Sequence, residues 1–128
     1  MPRFVVLFHA MPQPGKRDSH WDFMLENDGV LRTWALDIEP DRVDEQRASQ
    51  LADHRLAYLD YEGEVSGGRG AVARWDAGNY TTCDESDGRL LVDLQGQRLA
   101  GRVELTRTDD AQLWRFSRCA DLPASRRE

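Results

Sequence analysis

The chain has 128 residues, of which 40% are hydrophobic and 9% aromatic, so it is long enough for one compact domain with a real core and too short for two. A formal net charge of −6 argues against a generally basic surface for phosphate backbones, although a local basic patch is still compatible with it. The sequence has no apolar run near the ~20 residues that cross a bilayer, and its N-terminus lacks a full signal-peptide layout. We therefore expect a cytoplasmic protein with no membrane partner, made of one domain over residues 1–121 and a polar tail over 122–128.

The two cysteines, Cys83 and Cys119, lie far apart and show no metal-type spacing. A disulfide framework is not indicated, and reduced thiols are the default expectation.

Short β-type runs alternate with turn signals along the chain. Strands are predicted at Phe4–His9, His20–Glu26, Val30–Leu36, Ala71–Trp75, Asn79–Thr82, Arg89–Leu94, Arg98–Thr106 and Gln112–Arg118. Asn27-Asp28-Gly29 predicts a hairpin between the second and third strands, and Asp76-Ala77-Gly78 predicts a turn between the fourth and fifth. About eight strands at this spacing predict an all-β, mainly antiparallel fold, a small closed or nearly closed β-barrel with one or two short helices.

Two segments between these strands are less decisive. Residues 41–53 would place apolar side chains from Val43 to Ala52 on a helical stripe, whereas Arg47–His54 would also fit a strand, and we expect a short helix there. The glycine-rich run Gly67–Gly70 is most simply a turn, because it lacks a phosphate-loop pattern.

The run that opens with His20-Trp21-Asp22 carries the clearest chemical signal. On a strand, side chains alternate, so His20 and Asp22 share one face while Trp21 and Phe23 share the other. An imidazole beside a carboxylate suits manganese, zinc or iron, and a third ligand must come from elsewhere. His9 is the obvious candidate. The ordinary alternatives are a histidine at a strand edge and a carboxylate on a solvated face.

His54 and Tyr58 offer an imidazole and a phenol close together in sequence. Such groups donate hydrogen bonds to a phosphoryl oxygen or protonate a leaving group. The alternative for Tyr58 is an amphipathic core residue with its hydroxyl at the rim. Three tryptophans in alternating strands are assigned to the core: Trp34, Trp75 and Trp114.

Five segments over residues 4–118 resemble, in order and spacing, the 3′-phosphoesterase domain of bacterial DNA ligase D: FVVLFHA, HWDFMLENDGVLRTWAL, DHRLAYLDYEG, RWDAGNY and LWRFSR. The resemblance implies a compact β-barrel that uses manganese to trim nucleic acid 3′ ends, removing a terminal ribonucleoside and a 3′-phosphate in support of end joining. A DNA ligase or end-joining protein is the implied protein partner. Carried over by position, it implies that His9, His20 and Asp22 are the metal ligands and that His54 and Tyr58 act at the scissile phosphate.

The chain departs from the family pattern at polar positions. The arginine usual two residues after the aspartate is Met24 here, a lysine of the family falls on Ile38, and an acidic residue falls on Ala52. The segment between His9 and His20 is longer than usual. Four basic residues are candidates to replace the missing arginine: Lys16, Arg17, Arg47 and Arg69.

These departures keep three alternatives open beside a 3′-end-healing enzyme. One is a catalytically degenerate barrel of the same family that binds metal or a protein partner without turnover. The second is a phosphoesterase that acts on small nucleotides. The third is a simple interaction module whose histidines are incidental.

Overall fold

A computed structural model describes residues 2–11 and 19–119 of the chain. Its strands are β1 (Arg3–Ala10), β2 (His20–Asn27), β3 (Val30–Leu36), β4 (Glu45–Arg55), β5 (Gly63–Glu64), β6 (Ala71–Ser86), β7 (Arg89–Gln95), β8 (Ala100–Arg107) and β9 (Leu113–Arg118). A short 3₁₀ helix, Leu56–Leu59, follows β4. The predicted tail over 122–128 lies outside the described residues, as do Lys16 and Arg17.

Eight of these strands form a closed antiparallel barrel. They follow the order β1-β2-β3-β4-β9-β8-β7-β6, and β1 pairs with β6 to close the ring. The two-residue β5 is added outside this ring, on β6. β1 therefore has a hydrogen-bonded neighbour on both sides, as a closed barrel requires. The predicted fold class is confirmed. Among the described residues, no helix is long and apolar enough to cross a membrane.

The helix expected over residues 41–53 is wrong, because most of this segment lies in β4. That strand pairs with β3 on one side and β9 on the other. Ala48 is its one buried residue, and the rest of the strand is exposed or half-buried. With one inward apolar side chain, the sequence carries almost no period-two signal, so pairing with the two neighbours decides the structure.

The turn expected at residues 76–78 is also wrong, because β6 runs without interruption over Ala71–Ser86. The register against β1 shifts just before Asp76, as at a β-bulge. The buried Asp76 carboxylate accepts backbone hydrogen bonds from residues 97–99, at 2.8 to 3.1 Å. At Gly78, a Cβ would lie 2.1 Å from the carbonyl oxygen of Gln95. Asp76 and Gly78 therefore allow β6 to lie close to the end of β7 and the loop that follows it.

The predicted hairpin between β2 and β3 is confirmed. Asp28 and Gly29 have φ angles of +51° and +84°, as a type I′ turn requires. This turn fixes the register that places Asp22 opposite Ala35.

Apolar side chains form two clusters on opposite faces of the strands. The inner cluster fills the barrel and consists of Phe4, Val6, Phe23, Leu25, Trp34, Leu36, Ala48, Tyr80, Leu90, Val92, Leu94, Leu99, Val103, Leu105, Trp114 and Phe116. The outer cluster consists of Val5, Leu7, Met24, Leu31, Leu59, Val65 and Val72. Because side chains alternate along β1 and β2, the outer cluster lies outside the barrel wall, under the 3₁₀ helix and β5.

The core assignment of the tryptophans is confirmed for two of the three. Trp34 and Trp114 are buried in the inner cluster. Trp75 is only partly buried, and it packs against that cluster without belonging to it.

Candidate functional site

The pairing of β1 with β2 brings three metal-ligating side chains to one face. His9 lies opposite His20, and Leu7 lies opposite Asp22. Directly paired residues point to the same face of a sheet, and so do residues two apart along a strand. His9, His20 and Asp22 therefore share the outer face of the barrel, and we call them the triad.

The triad is compact. Oδ1 of Asp22 lies 3.0 Å from Nε2 of His20, and Oδ2 lies 3.5 Å from Nδ1 of His9. Ligand atoms from the three residues all lie within 4.8 Å of one another. His20 and Asp22 are buried, at 3% and 2% exposure, while His9 is partly exposed at the mouth. Two imidazoles and a carboxylate thus converge on one small volume.

The Asp22 carboxyl group has the properties of a ligand to a cation. Burial raises the pKa of this group, but the contacts with His20 and His9 outweigh that effect and hold the pKa below its usual value. The group is therefore ionised at neutral pH, as a metal ligand must be. Its buried Oδ1 accepts no well-aligned hydrogen bond from the residues that the structure describes. Such an oxygen is costly unless a cation meets it, so the donor set fits a divalent ion.

A second contact fixes which nitrogen of His9 faces the triad. Nε2 of His9 lies 2.6 Å from the backbone carbonyl oxygen of Arg69. Since a carbonyl only accepts, Nε2 donates a hydrogen bond to it, and Nδ1 is the nitrogen that faces Asp22 and would bind an ion once it is deprotonated. Metal-ligating histidines are commonly oriented in this way by a backbone carbonyl on the other nitrogen.

The glycine-rich run Gly67–Gly70, which the sequence marks only as a turn, provides that carbonyl. Gly70 has a φ of +89°, and a Cβ there would lie 2.0 Å from the carbonyl oxygen of Ala10. Its own carbonyl accepts a 2.8 Å hydrogen bond from the backbone of Val65. The run is thus pressed against β1 next to His9. Sequence reasoning missed this role, because a backbone carbonyl has no signature in the residue types.

His54 and Tyr58 form a second group on the same outer face. Their rings meet edge to face with centroids 5.7 Å apart, and Nδ1 of His54 lies 2.9 Å from the backbone carbonyl oxygen of Ala52. His54 pairs across the sheet with Leu31 of the outer cluster, and Tyr58 packs against that cluster. The structure therefore brings these two residues together, while the triad of close ligand atoms contains neither. We call them the His54–Tyr58 pair.

Met24 is 1% exposed and belongs to the outer cluster. The guanidinium of Arg69 donates to the backbone carbonyl and the hydroxyl of Ser66, at 2.8 and 3.3 Å. Arg47 lies on β4 directly opposite Arg115 of β9. In the part of the chain that the structure describes, the place of a phosphate-binding arginine after Asp22 is thus filled by an apolar side chain.

The closed barrel with a two-histidine, one-aspartate centre on its outer face defines a small all-β domain with a candidate divalent-metal site. The sequence matches the DNA Ligase D 3′-phosphoesterase domain over residues 13–107, and the chain belongs to this family. The matched range includes His20, Asp22, His54 and Tyr58, and it begins after His9.

Curated relatives at 32–39% identity are end-joining DNA repair proteins. The multifunctional non-homologous end joining protein LigD of Pseudomonas aeruginosa is 39% identical over 100 residues, covering 70% of this chain and 12% of its own length. LigD of Mycobacterium bovis is 37% identical over 115 residues, covering 83% of this chain and 14% of its own. LigD of Mycolicibacterium smegmatis is 32% identical over an alignment of 142 residues, which covers 98% of this chain and 18% of the length of that protein. The chain thus spans less than a fifth of the relatives that it matches.

Proposed function

We propose that this domain is a metal-dependent 3′-end-healing phosphoesterase that acts on 3′-terminal ribonucleotides or 3′-phosphates of nucleic acid during DNA repair. The observation that carries the proposal is the convergence of His9, His20 and Asp22 within 4.8 Å in a member of this family. Nucleic acid 3′ ends are then its substrates, and a DNA ligase or another end-joining protein is its natural partner.

The triad would hold the ion through Nδ1 of His9, Nε2 of His20 and the Asp22 carboxylate. Manganese, zinc or a related divalent ion supplies charge neutralisation at the phosphoryl group and lowers the pKa of bound water. In the reaction on a terminal ribonucleotide, the oxygen of water bonds to phosphorus and the bond from phosphorus to the departing nucleoside oxygen breaks. One proton of the water ends on that oxygen. Hydrolysis of the remaining 3′-phosphate releases inorganic phosphate and a 3′-hydroxyl.

The His54–Tyr58 pair is suited to the phosphate rather than to the ion. The Tyr58 hydroxyl is a hydrogen-bond donor at the surface of the outer cluster, where low polarity strengthens a contact to charge. Nδ1 of His54 faces the Ala52 carbonyl, so its Nε2 donates when the ring is protonated. In this proposal they donate to a phosphoryl oxygen and return a proton to the departing oxygen.

A second candidate function is metal and end binding without turnover. The apolar surroundings of Met24 favour it, because a buried apolar side chain takes the place of the missing arginine beside Asp22. Both candidates require the triad, and turnover separates them.

A labelled primer–template with a 3′-terminal ribonucleotide, and the same duplex with a 3′-phosphate, test the proposal. We expect trimming with manganese, none with EDTA, and none by His20→Ala. Asp87→Asn is a matched control, since Asp87 pairs with Arg107 at an exposed site of little energetic weight. A folded, manganese-binding protein that leaves both duplexes intact would refute the enzyme and favour the second candidate. Equal turnover of a nucleoside 3′-monophosphate would instead favour a small-nucleotide substrate.

A further inference from the structure

A cavity of about 280 Å³ adjoins Tyr58 of the His54–Tyr58 pair. Tyr58, Tyr61, Arg55, Val65 and Ser66 contribute to its lining. We call it the tyrosine pocket. None of the three triad residues contributes to its lining.

Tyr61 is held rigidly at the pocket although 39% of it is exposed. Its ring stands perpendicular to that of Tyr58, with centroids 5.8 Å apart. Its hydroxyl donates a hydrogen bond to the backbone carbonyl of Glu64. Gly63, at a φ of +135°, lets the backbone pass close to this ring, since a Cβ there would lie 3.2 Å from the Tyr61 hydroxyl oxygen. An exposed aromatic ring fixed in this way is a preformed surface for a planar group.

The other lining groups define the chemistry of the occupant. Val65 is buried and apolar, Arg55 brings a positive charge, Ser66 brings a hydroxyl, and Glu64 brings a carboxylate that can accept from the amino group of a base. Nucleobases stack on aromatic side chains and on guanidinium planes, and a hydroxyl meets a sugar or a base edge. The combination fits a single nucleoside with an adjacent phosphate. The volume is that of one base and part of its sugar, too small for a length of folded polypeptide.

The pocket also lies in the correct place along the outer face. Residues 64–66 form one of its walls, and the same residues line a second cavity that reaches Ala10 and Met11, next to His9. The two cavities thus meet at residues 64–66, which connect the tyrosine pocket to the end of β1 beyond His9.

We propose that the tyrosine pocket binds the base of the terminal nucleoside at a 3′ end, with Tyr61 as its stacking surface. The inference rests on the proposed function and adds a specificity to it. A 3′-terminal ribonucleotide has a departing nucleoside that fills the pocket, whereas a 3′-phosphate has none. Tyr61 therefore favours removal of a terminal nucleoside over removal of a phosphate.

The test compares wild type, Tyr61→Ala and Tyr61→Phe on the two duplexes, with kcat/KM as the readout. Tyr61→Ala is expected to lower nucleoside removal about tenfold relative to phosphate removal, since base stacking on one aromatic ring contributes on that order. Tyr61→Phe keeps the ring and is expected to keep the wild-type ratio within about twofold. A ratio that stays constant in Tyr61→Ala overturns the proposal.

A binding measurement separates failure of this inference from failure of the proposed function. If wild type cleaves neither duplex, the proposed function fails, and adenosine 5′-monophosphate, whose phosphate lies on the same oxygen as in a 3′-terminal nucleotide, is titrated into the protein while the tyrosine ring signals are followed by NMR. Shifts of the Tyr61 signals, with binding lost in Tyr61→Ala and kept in Tyr61→Phe, support the pocket. No shift at Tyr61 up to millimolar nucleotide overturns it.

Discussion

The inner and outer clusters are built from the same kinds of residue but are enclosed differently. Strands surround the inner cluster on every side, whereas the outer cluster is covered only by the 3₁₀ helix, β5 and the loops around them. The outer cluster borders the triad through Leu7 and Met24, and it borders the His54–Tyr58 pair through Leu31. We infer that the inner cluster supplies most of the stability and that the outer cluster sets the geometry of the site. The two contributions are separable by mutation.

The largest effect is expected inside the barrel. Phe116 is fully buried and packs edge to face on Phe23, with centroids 5.3 Å apart. Phe116→Ala should lower the free energy of unfolding by about 3–5 kcal/mol, through lost burial and the cavity that remains. Urea denaturation measures this loss. Metal affinity, measured where the variant is still folded, should match wild type, and a large fall in it would show that the two clusters are not independent.

The second effect is confined to the triad. Asp22→Asn removes the one anionic ligand of the triad, and manganese affinity should fall about 100-fold or more. This loss of affinity is larger than the loss caused by removing a residue that only orients a ligand. Calorimetric titration gives this number, with Asp87→Asn as the exposed control. An affinity equal to wild type would exclude the triad as the metal centre.

Loss of packing in the outer cluster should have a mixed effect. Leu59 ends the 3₁₀ helix that carries Tyr58, and it is 5% exposed. Leu59→Ala should cost about 2 kcal/mol of stability, at the low end for a leucine because its site lies at the cluster's edge. It should lower trimming of 3′ ends while manganese affinity is retained. A parallel loss of metal affinity would mean that the helix also supports the triad.

The smallest effect is expected at the glycine-rich run. Gly70→Ala forces the run away from Ala10 and with it the Arg69 carbonyl away from His9, so manganese affinity should fall about tenfold, as for loss of a ligand-orienting contact. Gly29→Ala is the matched control, because Gly29 also has positive φ but no atom within 4 Å of the added Cβ. Equal affinity in both variants would show that the Arg69 carbonyl does not orient His9.

The sequence was most informative where a local rule acts alone. Strand alternation placed His20 and Asp22 on one face, and the turn chemistry of Asp28-Gly29 predicted the hairpin. His9 was the obvious candidate for the third ligand by residue type, and the resemblance implies the same, but only the register of β1 against β2 brings it to His20. Its role as a ligand is still a prediction.

Other features depend on pairing between distant segments, which no local pattern encodes. The segment around Ala48 resembles a weak helix until β3 and β9 lie on either side of it. Met24 follows Asp22 by two positions and shares its strand face, yet it is buried in the outer cluster with Leu59 and Val65, which follow it by more than thirty positions. The contact of the Arg69 carbonyl with His9 could not be predicted from the sequence, because it also joins distant segments. Chain segments far apart in sequence built these surroundings.

The closure of the barrel between β1 and β6 also has a kinetic consequence. Ala10 and Ala71 are partners across this seam, next to His9, so the triad's most exposed ligand is carried by a contact of long sequence separation. Such contacts form late in folding, because a large loop must close first. An ion that binds only the closed ring stabilises it in proportion to the logarithm of its concentration. A higher concentration of the ion would then stabilise the pairing of β1 with β6. Amide hydrogen exchange in these two strands would slow as the ion is added.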